Sequence, residues 1–297
     1  MDIYTEHKLR KYPHTSTSFR TLQTRVPWIV LAAAIILTGL TAHAQRPADK
    51  AWAVLKSGLA DKSVEKRAVA AGVLGLLENN REALRLALVA LGDERSEVRA
   101  AAAKALGDMK AKSAAPKLAE VIKGEKAVSV VIAGAHSLVA LGDPLGYSVY
   151  YAVLTGERKG GGGLLEDQRK MLEDPKKMAQ FGFEQGVGFV PFGGIGYGAF
   201  KALRKDDASP VRAAAAKVLA NDPDPKSGAA LVEASSDKSW IVRAAALDAL
   251  SHRGKPSVLP QVESRLDDEN NAVRCTAAAT VIHLSDVRAR GTSSKMR

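Results

Sequence analysis

The sequence predicts an all-α protein, an α-solenoid of about six stacked helix pairs, on three observations. Five times an Asp stands six residues before an Arg at the start of an Ala-rich apolar run: Asp61 and Arg67, Asp93 and Arg99, Asp206 and Arg212, Asp237 and Arg243, Asp268 and Arg274. The Arg positions recur after 32 residues from Arg67 to Arg99, and after 31 from Arg212 to Arg243 and from Arg243 to Arg274, the length of one helix–turn–helix unit. Aromatics make up 5% of the 297 residues while Ala is abundant, which suits units that bury faces on their neighbours better than one globular core.

The first element is a leader. Residues 28–40 form an uncharged apolar run, preceded by Lys8, Arg10, Lys11, Arg20 and Arg25 and followed by Ala42-His43-Ala44. Thirteen residues are short of the ~20 a spanning helix needs, so the segment reads as a signal peptide over 1–44, cut after Ala44. The long basic lead leaves an alternative, an inner-membrane anchor formed by 28–40.

The second helix of each unit follows the Arg. Val98, Ala102, Ala105 and Leu106 fall at i, i+4, i+7 and i+8, as do Val211, Ala215, Val218 and Leu219, so each segment carries an apolar stripe at helical period. Ser96, Ser209 and Ser239 stand at the N-cap, and Pro210 takes the first helical position after Ser209. A less regular first helix precedes each, over 81–91, 114–123, 226–234 and 257–266.

This pattern resembles HEAT repeats, in particular the short bacterial HEAT-like repeats first named for phycobilisome lyases, with an Asp in the inter-helix turn and an Arg opening the second helix. The resemblance covers most of residues 48–286. It implies that the five Asp/Arg pairs form a hydrogen-bonded ladder between successive repeats, and so act in structure. It also carries an alternative function, a lyase-like enzyme or enzyme-specificity subunit.

Two places depart from the repeat. In the third unit Val128 and Gly134 stand where Asp and Arg are expected, so the ladder should break there. Gly134 to Arg212 is 78 positions, roughly 45 more than one unit needs, which puts an insertion in the fourth repeat over 156–205. Its second half, 181–200, holds five of the protein's six Phe, seven Gly and a single charge, Glu184. Phe181, Phe183, Phe189, Phe192, Tyr197 and Phe200 are therefore candidates for partner binding, since such aromatics must pack on the solenoid, meet a partner or enter a membrane surface. The resulting divisions are 1–44, 48–155, 156–205, 206–286 and a flexible tail over 287–297.

The chemistry looked for is absent from the sequence. After the leader only His136, His252 and His283 remain, without a second Cys beside Cys275 or carboxylates at metal-ligand spacing, so neither a metal nor a cofactor is expected. Gly194-Ile-Gly196-Tyr-Gly198-Ala199 fits a dinucleotide-binding turn but lacks the strand before it and the long helix after it. No nucleophile elbow or phosphate loop occurs, and no catalytic residue is assigned. Cys275 reads as a small core residue. The net charge of +11 falls to +8 from Gln45 on, with 38 basic and 30 acidic residues interspersed. The expectation is a non-enzymatic, exported scaffold that binds a protein or peptide partner. A nucleic-acid-binding HEAT-like protein is the third reading, favoured by the pI of about 9.7 and opposed by the leader.

Overall fold

The computed structural model describes residues 46–155 and 208–295. The leader, the insertion with Phe181, Phe183, Phe189, Phe192, Tyr197 and Phe200, and Asp206 lie outside the described residues. Twelve α-helices follow one another among the described residues, with short 3-10 turns and no strand. They are α1 (Pro47–Leu59), α2 (Val64–Val73), α3 (Arg81–Ala90), α4 (Ser96–Asp108), α5 (Ala115–Gly124), α6 (Val128–Leu141), α7 (Leu145–Thr155), α8 (Ser209–Leu219), α9 (Pro225–Ala234), α10 (Trp240–Arg253), α11 (Leu259–Glu263) and α12 (Asn271–Lys295).

The helix starts are set by side chains in some units and not in others. Asn80 caps α3 by accepting from the N–H groups of Glu82 and Ala83, and Asp224 caps α9 ahead of Pro225. Among the second helices Ser63 caps α2 by accepting from the Lys66 N–H and Asn270 caps α12 by accepting from the Ala272 N–H, whereas the side chains of Ser96, Ser209 and Ser239 cap nothing; Ser96 and Ser209 lie just inside their helices, and Pro210 is second rather than first. The N–H two residues after each Asp is taken by its carboxylate: Asp93 Oδ1 accepts from Arg95, Asp237 from Ser239 and Asp268 from Asn270, each at 2.8–2.9 Å. The tail expected at 287–297 continues α12 as helix to Lys295, because Arg288, Ala289 and Arg290 favour helix.

The second helices stack on one another, α2 on α4 on α6, and α8 on α10 on α12. Their contacts are close. A Cβ on Gly107 of α4 would lie 2.7 Å from Ser137 Cβ and 2.9 Å from its Cα on α6, so this crossing requires Gly. Ser137 donates across the same crossing to the Ala103 carbonyl at 2.8 Å, and Thr280 of α12 donates to Leu247 of α10 at 3.1 Å. Leu106, Leu138, Leu247, Leu250 and Ile282 are fully buried around these crossings, each contributing about 1.5–3 kcal/mol of transfer free energy.

The array also turns back on itself, since α12 packs against α1 and α2. Lys50 pairs with Asp267 at 2.5 Å, and Asn80 donates to Asp286 at 2.9 Å. Cys275 is fully buried there beside Gly58, its thiol pushed up to about 12 by burial, as befits a core residue.

One apolar stripe is not buried as its period implies. Val98, Ala102, Ala105 and Leu106 of α4 are all interior, but in α8 Val211, Ala215 and Val218 face out while Ala213 and Ala216 take the buried side. Among the described residues α8 packs on α9 and α10, which follow it, through the side opposite this stripe.

Candidate interaction surfaces

Three features can carry function: the Asp/Arg row, a central cavity, and an exposed apolar surface beside the insertion. In the row an Arg such as Arg67, Arg99 or Arg243 does two jobs. Its Nη1 donates to the backbone carbonyl of its own unit's Asp, Arg67 to Asp61, Arg99 to Asp93, Arg243 to Asp237 and Arg274 to Asp268, at 2.7–3.0 Å. Its remaining donors reach the next unit's carboxylate. Arg67 forks Asp93 at 2.9 and 3.1 Å, Arg243 forks Asp268 at 2.8 Å through both nitrogens, and Arg212 meets Asp237.

The row breaks one step later than expected at Val128 and Gly134. Glu125, just before α6, receives the Arg99 fork at 2.8 and 3.0 Å and also accepts from the N–H groups of Lys126 and Ala127. Glu125 stands 26 residues after Arg99, the separation of Asp93 from Arg67, so it holds the Asp position of this unit; six residues on, Val131 stands where the Arg would, and only the Arg is missing from α6. At the ends, Asp61 pairs with Lys66, and Arg274 bonds Asn271. Asp93 is held below the usual carboxylate range chiefly by its bond to Arg67. Burial works against the charge of Glu125, but the Arg99 fork and the Ala127 N–H outweigh it. These Arg donors are spent on the fold.

The cavity, of about 650 Å³, is lined by α2, α4, α8, α10 and α12. Lys104 and Asp108 of α4 pair at 2.5 Å, and Lys110 pairs with Glu78 at 2.9 Å. Lys217 of α8 has its ammonium disfavoured by burial, and Asp248 of α10 has its carboxyl pushed up by burial. His252 Nδ1 lies 3.0 Å from the Asp248 carbonyl oxygen and 3.6 Å from its carboxylate. His283 of α12 completes the group, its pKa lowered by burial. None of these residues was singled out as a site from sequence, although they share a register: Lys104, Lys217 and Asp248 stand five positions after Arg99, Arg212 and Arg243, and Asp108, His252 and His283 stand nine after Arg99, Arg243 and Arg274. Five and nine lie on one helical face. Among the described residues no three His, Cys, Asp or Glu side chains converge as a metal-binding group.

The apolar surface lies on the helices that bracket residues 156–207. Tyr147, Tyr151 and Leu154 follow one face of α7 at i, i+4 and i+7 and are 65, 62 and 86% exposed, and Val211 and Val218 of α8 are 72 and 69% exposed. The opposite side of α7 is held to α6 by Val149 and by Gly146, where a Cβ would lie 2.5 Å from the Ala135 carbonyl oxygen. The exposed face is thus fixed in place by the buried one.

Helix pairs in succession, joined by an Asp/Arg row, define an α-solenoid of the repeat type. A family model described as HEAT repeats matches residues 52–144 and 198–282, more than half of the sequence, and the chain belongs to that family. No curated protein matches it. Among solved structures, human deoxyhypusine hydroxylase in complex with glycerol is 18% identical, with 81% of this chain and 97% of that one covered at a TM-score of 0.31. The complex of CpcE and CpcF of phycocyanin lyase from Nostoc sp. PCC7120 is 20% identical, with 82% and 94% covered, also at 0.31.

The expectation of a chain that is not an enzyme is corrected: the two solved structures that it matches bear the names of a hydroxylase and a lyase. Among the described residues no helix is long and apolar enough to cross a membrane.

Proposed function

We propose that the chain is an exported repeat scaffold that binds a protein or peptide partner where its array is interrupted. The observation that supports this reading is the apolar surface on both sides of the insertion, Tyr147, Tyr151 and Leu154 on α7 and Val211 and Val218 on α8. Elsewhere acidic and basic side chains alternate in local pairs such as Arg85–Glu82 and Lys117–Glu120, a surface that stays solvated. Large aromatic and aliphatic side chains on a rigid helix give binding energy at little entropic cost. Phe181, Phe183, Phe189, Phe192, Tyr197 and Phe200 extend the same chemistry along the intervening segment, where glycines let a partner backbone come close. Export follows from the basic lead, the apolar run and Ala42-His43-Ala44, with Gln45 as the mature N-terminus.

Photo-crosslinking in the native cell tests this, with a photoreactive residue in place of Tyr151 or Val218 and, as controls, Lys62 or Lys226. The expected result is one common adduct from Tyr151 and Val218, none from the controls, and a crosslinked chain that is recovered with the envelope and begins at Gln45. Crosslinks confined to residues 156–207 of the same chain would show that the insertion covers these faces, and a chain that begins at Met1 in the cytoplasm would contradict export.

A further inference from the structure

The second helices share one stacking geometry, and it fixes what each side of a helix faces. Thr280, six residues after Arg274, donates to the carbonyl of Leu247, four after Arg243. Ser137, six after Val131, donates in the same way to Ala103, four after Arg99. Gly75, eight after Arg67, repeats the approach, since a Cβ there would lie 3.3 Å from the Cα of Ala105, six after Arg99. The position six after the Arg therefore faces the second helix of the preceding unit.

In α8 that position is Val218. Its counterparts Ala105, Ser137, Ala249 and Thr280 are all buried, whereas Val218 and its stripe neighbour Val211 are exposed. Among the described residues, then, α8 opens the stack with the face that a preceding helix covers elsewhere.

The other end is α7. Gly146 lies against the carbonyl of Ala135, four after Val131, where a Cβ would be 2.5 Å from that oxygen. On α6, α7 thus takes the place that a following second helix takes on α4 or α10. Its outer residues Tyr147, Tyr151 and Leu154 are exposed. In space the described stack runs from α8 through α10 and α12 to α2, α4, α6 and α7, and it ends in two different faces.

We propose that the partner bound at these faces is a second copy of this chain, joined head to tail, with α7 of one copy laid against the α8 stripe of the next. The inference rests on the partner-binding reading, which also asks the residues between the two helices to contribute. A second copy supplies what this stripe meets elsewhere in the fold, the outer face of a stacked helix, so the contact continues an interface the chain already uses. The chemistry agrees. α7 carries no charged residue over Leu145–Thr155, and its Tyr147, Tyr151 and Leu154 have the same i, i+4, i+7 spacing as Val211, Ala215 and Val218. The small Ala215 between two valines leaves a notch for one of the larger side chains. A surface built of pairs such as Arg85–Glu82 would bring charge into this apolar contact at a cost. Because the two faces differ, the interface is heterologous, and copies add in series unless a ring closes.

Sedimentation velocity of the purified full chain, and of two variants alone and mixed, tests the proposal. The parent is expected to grow in mass over roughly 1–100 µM, the range of contacts of small area. A charge on either face should weaken association at least about tenfold. Tyr151→Glu removes the α7 face and Val218→Glu the α8 face, both at exposed positions where the melting curve stays unchanged. An equimolar mixture of the two should restore a one-to-one dimer that grows no further, since each variant keeps the face that the other lost. Val89→Glu, at an exposed apolar residue of α3, leaves the association of the parent intact. Variants that associate as the parent does, a Val89→Glu chain as impaired as they are, or a mixture that stays monomeric while the parent associates would overturn the head-to-tail contact. A parent monomeric over the whole range would overturn it too. Photo-crosslinking then separates the two readings: a Tyr151 adduct with a different protein leaves partner binding standing, and no adduct removes both.

Discussion

Arg243→Ala lowers the free energy of unfolding by about 3 kcal/mol, the cost of removing one partner from a buried ion pair. Arg243 is the most enclosed guanidinium of the row: its side chain and that of Asp268 are 8 and 6% exposed. The substitution strips Asp268 of two charge-assisted bonds at 2.8 Å and leaves the carbonyls of Asp237 and Lys238 without their donor. Only the Asn270 N–H remains on that carboxylate among its short bonds. Arg212→Ala provides the contrast, since Arg212 is 39% exposed and its loss should cost about 1 kcal/mol or less. Urea unfolding of the two variants measures the difference, and equal midpoints would show that enclosure of the row contributes nothing.

Gly107→Val destabilises by about 3 kcal/mol or more, at the upper end of overpacking costs. The added atoms would meet the backbone and Cβ of Ser137 within 3 Å, and neither can swing aside as the end of a long side chain could. Relief requires α4 and α6 to separate, which also breaks the Ser137 bond to Ala103. Gly124→Ala has nothing within 4 Å and should be neutral or stabilising by a few tenths of a kcal/mol. Thermal melts of the two variants check this, and a Gly107→Val chain as stable as the parent would mean that the close crossing is not what the fold depends on.

The repeat was legible because its physics is local. An Asp that starts a turn, an Arg six residues on and an Ala-rich face at helical period are all written within one unit, so second helices that carry both could be placed from sequence to within a residue or two. Glu125 is hidden because matching Ala140-Leu141-Gly142-Asp143 to Ala105-Leu106-Gly107-Asp108 sets the third unit three residues out of register; the Arg99 fork restores it, with Glu125 as far after Arg99 as Asp93 is after Arg67. The serines show a similar limit: a Ser before an apolar run looks like a cap, and Ser63 does cap α2, but the Ser239 side chain at the start of α10 makes no such bond and Ser96 and Ser209 fall inside their helices.

What lay beyond the single unit was not legible in the same way. The contact of α12 with α1 and α2 joins residues more than 200 positions apart, as in the Lys50–Asp267 and Asn80–Asp286 pairs, and no repeat period announces it. The cavity depends on that return, so Lys217, Asp248, His252 and His283 had no common motif in one stretch of sequence. Their shared register after the row's Arg was present, as the one polar step in runs such as Arg99-Ala-Ala-Ala-Ala-Lys104 and Arg212-Ala-Ala-Ala-Ala-Lys217. It signals a common face, and the fold decides that those faces meet. The outward turn of Val211 and Val218 was hidden likewise, because period alone says that a stripe exists and not which neighbour covers it.

On the proposed function, the repeats carry the fold and the interruption carries the partner. Replacing residues 160–200 by a short Gly/Ser linker and recording a circular-dichroism melt, with crosslinking from Tyr151 on the same variant, tests it most directly. The expected result is a helical chain that melts cooperatively and no longer forms the Tyr151 adduct; a molten or unfolded chain, or one that keeps the adduct undiminished, would contradict it.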